Sequence, residues 1–241
     1  MSKRLLRPLC LVLTVLYVLS SAYTVIKRVL VAFLDRFAAE SAVLFVQGSS
    51  TVELILFTVC IGICLFCLAL FTHGRLRASL FILTGAQVSI ILSNLFSRLA
   101  SVDTMTVSLC AMLISTCCTF VGYALLAHAE RSDLRAIGWI CAALASVNQL
   151  CSALSIFSAI LMDTGTFALW FTLFTHTARL SSILSIISNV VQALCFLLLF
   201  FSFQQPVIRG PLPPASTPLG TEPGKLSEEN PLPMDKEKKD S

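Results

Sequence analysis

The sequence predicts an all-α integral membrane protein: a bundle of about six transmembrane helices followed by a disordered cytosolic C-terminal tail. Three observations predict it. The 241 residues are 56% hydrophobic and only 12% charged, against about 25% charged in soluble domains. Mean hydropathy is +0.88. Almost every charge lies at a chain end or in a short connection, leaving six long apolar runs. A soluble fold cannot hide that much apolar surface, so the bilayer is the solvent.

A bilayer core needs about 20 apolar residues per helix. The runs that qualify lie at about 7–26, 51–71, 79–98, 104–127, 136–161 and 180–203. They are continuous rather than alternating, which excludes a β-barrel reading. The first follows Lys3, Arg4 and Arg7 in the manner of a signal peptide. Its apolar stretch, Pro8 to Ile26, is longer than a signal core of about 7–15 residues. Lys27 and Arg28 follow it in place of a cleavage site, so it reads as a retained span.

Two connections carry their own pattern. Residues 27–47 interleave Leu30, Phe33, Leu34, Phe37 and Leu44 with Lys27, Arg28, Asp35, Arg36 and Glu40. That is an amphipathic helix too charged to span, lying on the surface or extending the first helix. Gly48-Ser49-Ser50 is expected to end it. Residues 165–176 are too short to cross, and read as an interfacial or re-entrant helix with Trp170 at headgroup level. Asp163 and Gly165 separate it from the fifth span. The membrane domain is thus 1–203. The remainder, 204–241, holds eight of the nine prolines and ends in mixed charge, a composition that builds no core.

Lys and Arg counts orient the chain. Lys3, Arg4, Arg7, Arg75, Arg77, Arg131, Arg135 and the tail fall on one side; Lys27, Arg28, Arg36, Arg98 and Arg179 fall on the other. The richer side is read as cytosolic, with both termini there. All ten cysteines fall inside the runs and no Asn-x-Ser/Thr acceptor occurs, so no disulfide framework is expected. The small net charge of +4 is scattered, which excludes a nucleic-acid partner.

Each span carries a stripe of small or polar residues, such as Cys10, Thr14, Tyr17, Ser21 and Thr24 in the first and Ser108, Ala111, Ser115, Cys118 and Gly122 in the fourth. Small residues let helices approach, and hydroxyls bond across the contact. The second span's stripe is Glu53, Cys60, Cys64 and Cys67. A thiolate metal site needs partners on other spans and an entry route, so these read as packing residues and no metal or cofactor is expected. His73 and His128 sit at helix ends near Glu130 and Asp133, where a cation caps terminal carbonyls.

Five amides fall near mid-span: Gln87, Asn148, Gln149, Asn189 and Gln192. They read either as interhelical clamps or as one polar patch at the midplane, the depth at which transporters bind substrate. No Asp, Glu, Lys, Arg or His occupies a span centre, which argues against proton relays, voltage sensors and ion-coupled pumps. No nucleophile has an intramembrane base to activate it. Lys238 and Lys239 stand fourth and third from the carboxyl end and look like the dilysine retrieval signal of endoplasmic-reticulum membrane proteins, a receptor-read address.

The functional expectation is a non-enzymatic protein of the endoplasmic reticulum and early secretory pathway. It acts through helix packing in assembly, retention, trafficking or membrane organisation. The alternative is a carrier or channel for a small neutral solute or lipid. Expected partners are the bilayer, other membrane proteins or a second copy through the stripes, and the retrograde coat through the tail.

Overall fold

The computed structural model describes residues 3–37, 40–97, 99, 102–128, 132–161 and 167–204. They form six helices: α1 (Lys3–Phe37), α2 (Glu40–Phe71), α3 (Gly74–Phe96), α4 (Val102–Ala127), α5 (Ser132–Leu161) and α6 (Phe167–Gln204). All six are long and apolar enough to cross a membrane. Between 28% and 39% of the most apolar stretch of each span is buried inside the bundle. The outward faces carry Leu11, Val18, Leu56, Ile63, Ile114 and Ile183, all exposed. A soluble monomer does not present such continuous apolar surface, so lipid covers it.

Each helix packs on the next in chain order, and α6 packs back on α1. Among the described residues the backbones of no other pair of helices approach closely. The bundle is therefore a closed ring. Its near face is where α1 begins and α6 ends, joined by Arg7 Nη2 donating to the Phe203 carbonyl at 3.1 Å. The α2–α3 turn, the end of α4 and the start of α5 lie at that face. Gly74 makes the α2–α3 turn at φ +63°, a left-handed conformation that costs an L side chain about 1–2 kcal/mol.

The expected boundaries change at the far face. Gly48-Ser49-Ser50 does not end a helix: it lies inside α2, which starts at Glu40. The amphipathic stretch 27–47 is divided, with α1 running on to Phe37. Nor is 165–176 a separate helix, since α6 is unbroken from Phe167. Helix propensity is a weak preference of about 1 kcal/mol for Gly. It yields here to the long helices these segments belong to, whose spanning parts begin further on, at Val52 and Phe171. Arg179, read as the edge of a span, is exposed on α6 and long enough to reach headgroups. With 35, 32 and 38 residues, α1, α2 and α6 outreach α3 and α4 with 23 and 26. At about 1.5 Å per residue the longest is about 57 Å, well beyond a core of about 30 Å.

The ring's interior has two halves. On the near side it is filled by Leu13, Leu65, Leu68, Leu80, Leu126, Phe196 and Leu199, all fully buried or nearly so. On the far side the buried set turns to hydroxyls, among them Ser20, Thr58, Ser93, Ser108, Ser115, Thr119 and Ser188. The tail, 205–241, lies outside the described residues, and the expectations placed on it, Lys238 and Lys239 included, lie there too.

Candidate functional site

Where the two halves meet, the ring holds a partly open cavity of about 120 Å³. All five mid-span amides line it. Gln87 comes from α3, Asn148 and Gln149 from α5, and Asn189 and Gln192 from α6. Helix α3 packs on neither α5 nor α6, so Gln87 faces the other four amides across the ring, while those four lie on the paired helices α5 and α6. Helix α1 adds Tyr17 and Ser20, and α2 adds Leu54, Phe57, Thr58 and Ile61. Each contributor is near the middle of its helix, so the cavity is at mid-depth. The apolar half of the interior forms its floor. Leu54, on the far side of the cavity, is 41% exposed.

The amides divide by what they bond. Gln149 is a clamp: its Oε1 accepts from Ser115 Oγ and Thr119 Oγ1, each at 3.1 Å, and its Nε2 donates to Thr119 Oγ1 at 2.9 Å. Ser115 also lies 3.1 Å from the Ala86 carbonyl, so one hydroxyl on α4 serves both α3 and α5. Asn148 Oδ1 accepts from Ser181 Oγ at 3.2 Å, tying α5 to α6. Gln192 Nε2 donates within its own helix, to Ser188 Oγ at 2.7 Å. Gln87 and Asn189 make no hydrogen bond to any described residue. Both are half-buried, and where they line the cavity their donors and acceptors remain free.

Tyr17 forms part of the floor, its ring stacked on Phe196 with centroids 5.5 Å apart and planes 8° from parallel. Tyr123 of α4 comes close to its hydroxyl, but nothing meets hydrogen-bond distance and angle to that buried oxygen. Among the described residues no Asp, Glu, Lys, Arg, His or Cys lines the cavity. The lining offers amide and hydroxyl donors and acceptors and no charge.

Elsewhere the polar stripes do what small residues in lipid do. The Ser93 and Ser108 hydroxyls meet at 2.9 Å between α3 and α4, and Ser79 Oγ donates to the Gly122 carbonyl at 2.8 Å. Ser155 and Thr177 meet at 2.9 Å between α5 and α6. The α2 stripe departs from this: Cys60 is exposed and Cys64 and Cys67 half-exposed, while Thr58, Ile61, Leu65 and Leu68 face inward. Glu53 accepts from the Tyr23 hydroxyl of α1. His128 Nδ1 lies 2.8 Å from the Ala124 carbonyl at the end of α4. His73 precedes α3 and caps nothing with its side chain. Glu130 lies outside the described residues, as does the side chain of Asp133. Among the described residues no three His, Cys, Asp or Glu gather as a metal site would require.

Sequence reasoning did not place Ser20, Phe57, Thr58, Ser185 or Ser188 in a site, and met Tyr17 only as a packing residue. Their signal is depth: all sit at the level of the amides. Compared with protein-family models, curated proteins and solved structures, the chain matches none. Fold and composition define the class: a multi-pass, all-helical integral membrane protein, here a ring of six helices around an uncharged polar cavity.

Proposed function

We propose that the protein is a non-enzymatic carrier for a small neutral solute. One observation carries this: amides from three helices line a single cavity above a closed apolar floor. An amide clamp needs no cavity, whereas a binding site needs one. The floor of buried leucines separates a carrier, which must rearrange, from an open pore. Lack of activity as an enzyme rests on the lining, where Ser20, Ser185 and Ser188 have no base beside them. The test is uptake by liposomes containing the purified full chain. Radiolabelled glycerol and urea represent neutral solutes, and choline and acetate charged ones. Entry of a neutral solute above protein-free liposomes, without the charged pair, is expected; no entry of either neutral solute overturns the reading.

A second reading, assembly or retention of other membrane proteins, is favoured by Gln149 and Asn148, whose bonds are those of interhelical clamps. Capture of partner membrane proteins with no flux of any solute would support it. For the cellular address we propose the endoplasmic reticulum with both ends in the cytosol. An even number of spans supports placing the ends together, the Lys and Arg bias supports the cytosolic side, and Lys238 and Lys239 support retrieval by the retrograde coat.

A further inference from the structure

We propose that the solute is a small vicinal polyol, bridged between Gln87 of α3 and Asn189 of α6. The inference rests on the carrier reading and names the substrate class of that site. Size comes first. A dry cavity of about 150 Å³ takes benzene, so by proportion about 120 Å³ takes about five non-hydrogen atoms, a propanediol-sized molecule, with glycerol one atom larger. Charge comes next. Among the described residues no ionised group lines the walls, and an unpaired ion there would remain uncompensated. That excludes amino acids, phosphates and organic acids.

Hydrogen-bonding pattern then selects among neutral molecules. A carboxamide offers an acceptor and a donor side by side. Two hydroxyls on adjacent carbons match it, one donating to the amide oxygen and the other accepting from the amide nitrogen. The cavity has two amides with both ends free, Gln87 and Asn189. The Tyr17 and Phe57 rings offer apolar faces to the carbon chain of the solute. Since α3 and α6 do not pack on each other, a polyol held by both amides joins opposite walls of the ring. Binding energy is thus available to draw those walls together, as a carrier closing over its solute requires.

The test uses liposomes containing the full chain, with labelled glycerol as solute and 1,2- and 1,3-propanediol as competitors. The two diols share a composition and differ in whether the hydroxyls are adjacent. We expect 1,2-propanediol to compete about tenfold better, the equivalent of about one well-made hydrogen bond. Gln87→Met and Asn189→Leu should each weaken glycerol half-saturation by about tenfold. Neither side chain bonds any described residue, so the variants should remain folded, checked by monodisperse elution and unchanged melting. If the diols compete equally, or urea enters and glycerol does not, the polyol inference is overturned and the carrier reading stands. If neither glycerol nor urea enters, both are overturned. Should either variant elute as aggregate, Gln87→Asn and Asn189→Gln, which keep the amide and move it, serve instead, and unaltered glycerol half-saturation in both counts against the inference.

Discussion

Gln149 on α5 and Thr119 on α4 meet at both ends of one amide: Nε2 donates to the threonine Oγ1 at 2.9 Å, and that hydroxyl lies 3.1 Å from Oε1. With Ser115 bonding the same Oε1 and reaching the Ala86 carbonyl, this is where α3, α4 and α5 are held in register. In the same cavity, the Asn189 and Gln87 side chains bond no described residue. The wall therefore has a fixed part and a free part.

That contrast is measurable. Gln149→Leu should destabilise the fold by about 1–2 kcal/mol, the range for interhelical hydrogen bonds in lipid. The melting temperature in detergent should drop by about 2–8 °C. Gln87→Met should leave it unchanged. Equal losses from the two would mean that Gln87 is also a clamp and the free part of the wall does not exist.

The six spans and the amide cluster were legible because both signals are rare events. Charges interrupt lipid-facing helices only at their ends, and an amide in an apolar run stands out against its neighbours. The α2 stripe was not legible for a physical reason. In a membrane the outside of a bundle is as apolar as its inside, so nothing in the pattern tells that Thr58, Ile61, Leu65 and Leu68 face inward and Cys60 outward. Tyr17 and Phe57 were hidden the same way, since an aromatic ring is at home in the core, in lipid or beside a solute. The break at Gly48-Ser49-Ser50 was read from local propensity, which the long helix overrides.

Glycine positions grade the tightness of the ring. A Cβ on Gly138 would lie 2.8 Å from the Ala127 Cα and 2.9 Å from its backbone nitrogen. On Gly122 it would lie 2.7 Å from Leu83 side-chain carbons, and on Gly85 it would meet nothing within 4 Å. Backbone yields less than the end of a side chain. Gly138→Ala should therefore cost most, about 1–3 kcal/mol, and Gly122→Ala less, as Leu83 shifts. Gly85→Ala should be neutral or stabilising by up to about 1 kcal/mol, as alanine replaces glycine in a helix. Detergent melts of the three variants give the order; a Gly85 variant as damaged as the Gly138 one would contradict the α4–α5 contact.

Tyr17 offers the reverse case, a group whose removal should not hurt. Its hydroxyl is buried without a hydrogen bond, and a lone buried polar group is costly. Tyr17→Phe keeps the ring on Phe196 and should leave stability unchanged or raise it by about 1 kcal/mol. Tyr17→Ala removes the ring and should cost about 3–5 kcal/mol. A large loss from the phenylalanine variant would show that the hydroxyl is bonded in the working protein, with Tyr123 the nearest group able to do so.

The cellular address is tested from the two ends of the chain. Six spans return the chain to the face it left, so tags on Met1 and Ser241 should be accessible together when only the plasma membrane is permeabilised. Lys238 and Lys239 are then on the side where coat proteins read retrieval signals. Replacing both with serine removes two charges from a proline-rich stretch that builds no core, so melting and expression should match the parent. Steady-state imaging should show escape to the Golgi or cell surface. Residues appended after Ser241 should do the same, because such a signal is read by distance from a free carboxyl end. The ring of helices is untouched in both variants. If both remain where the parent is, the lysines carry no address, and retention belongs instead to the outward faces of the helices or to a partner bound there.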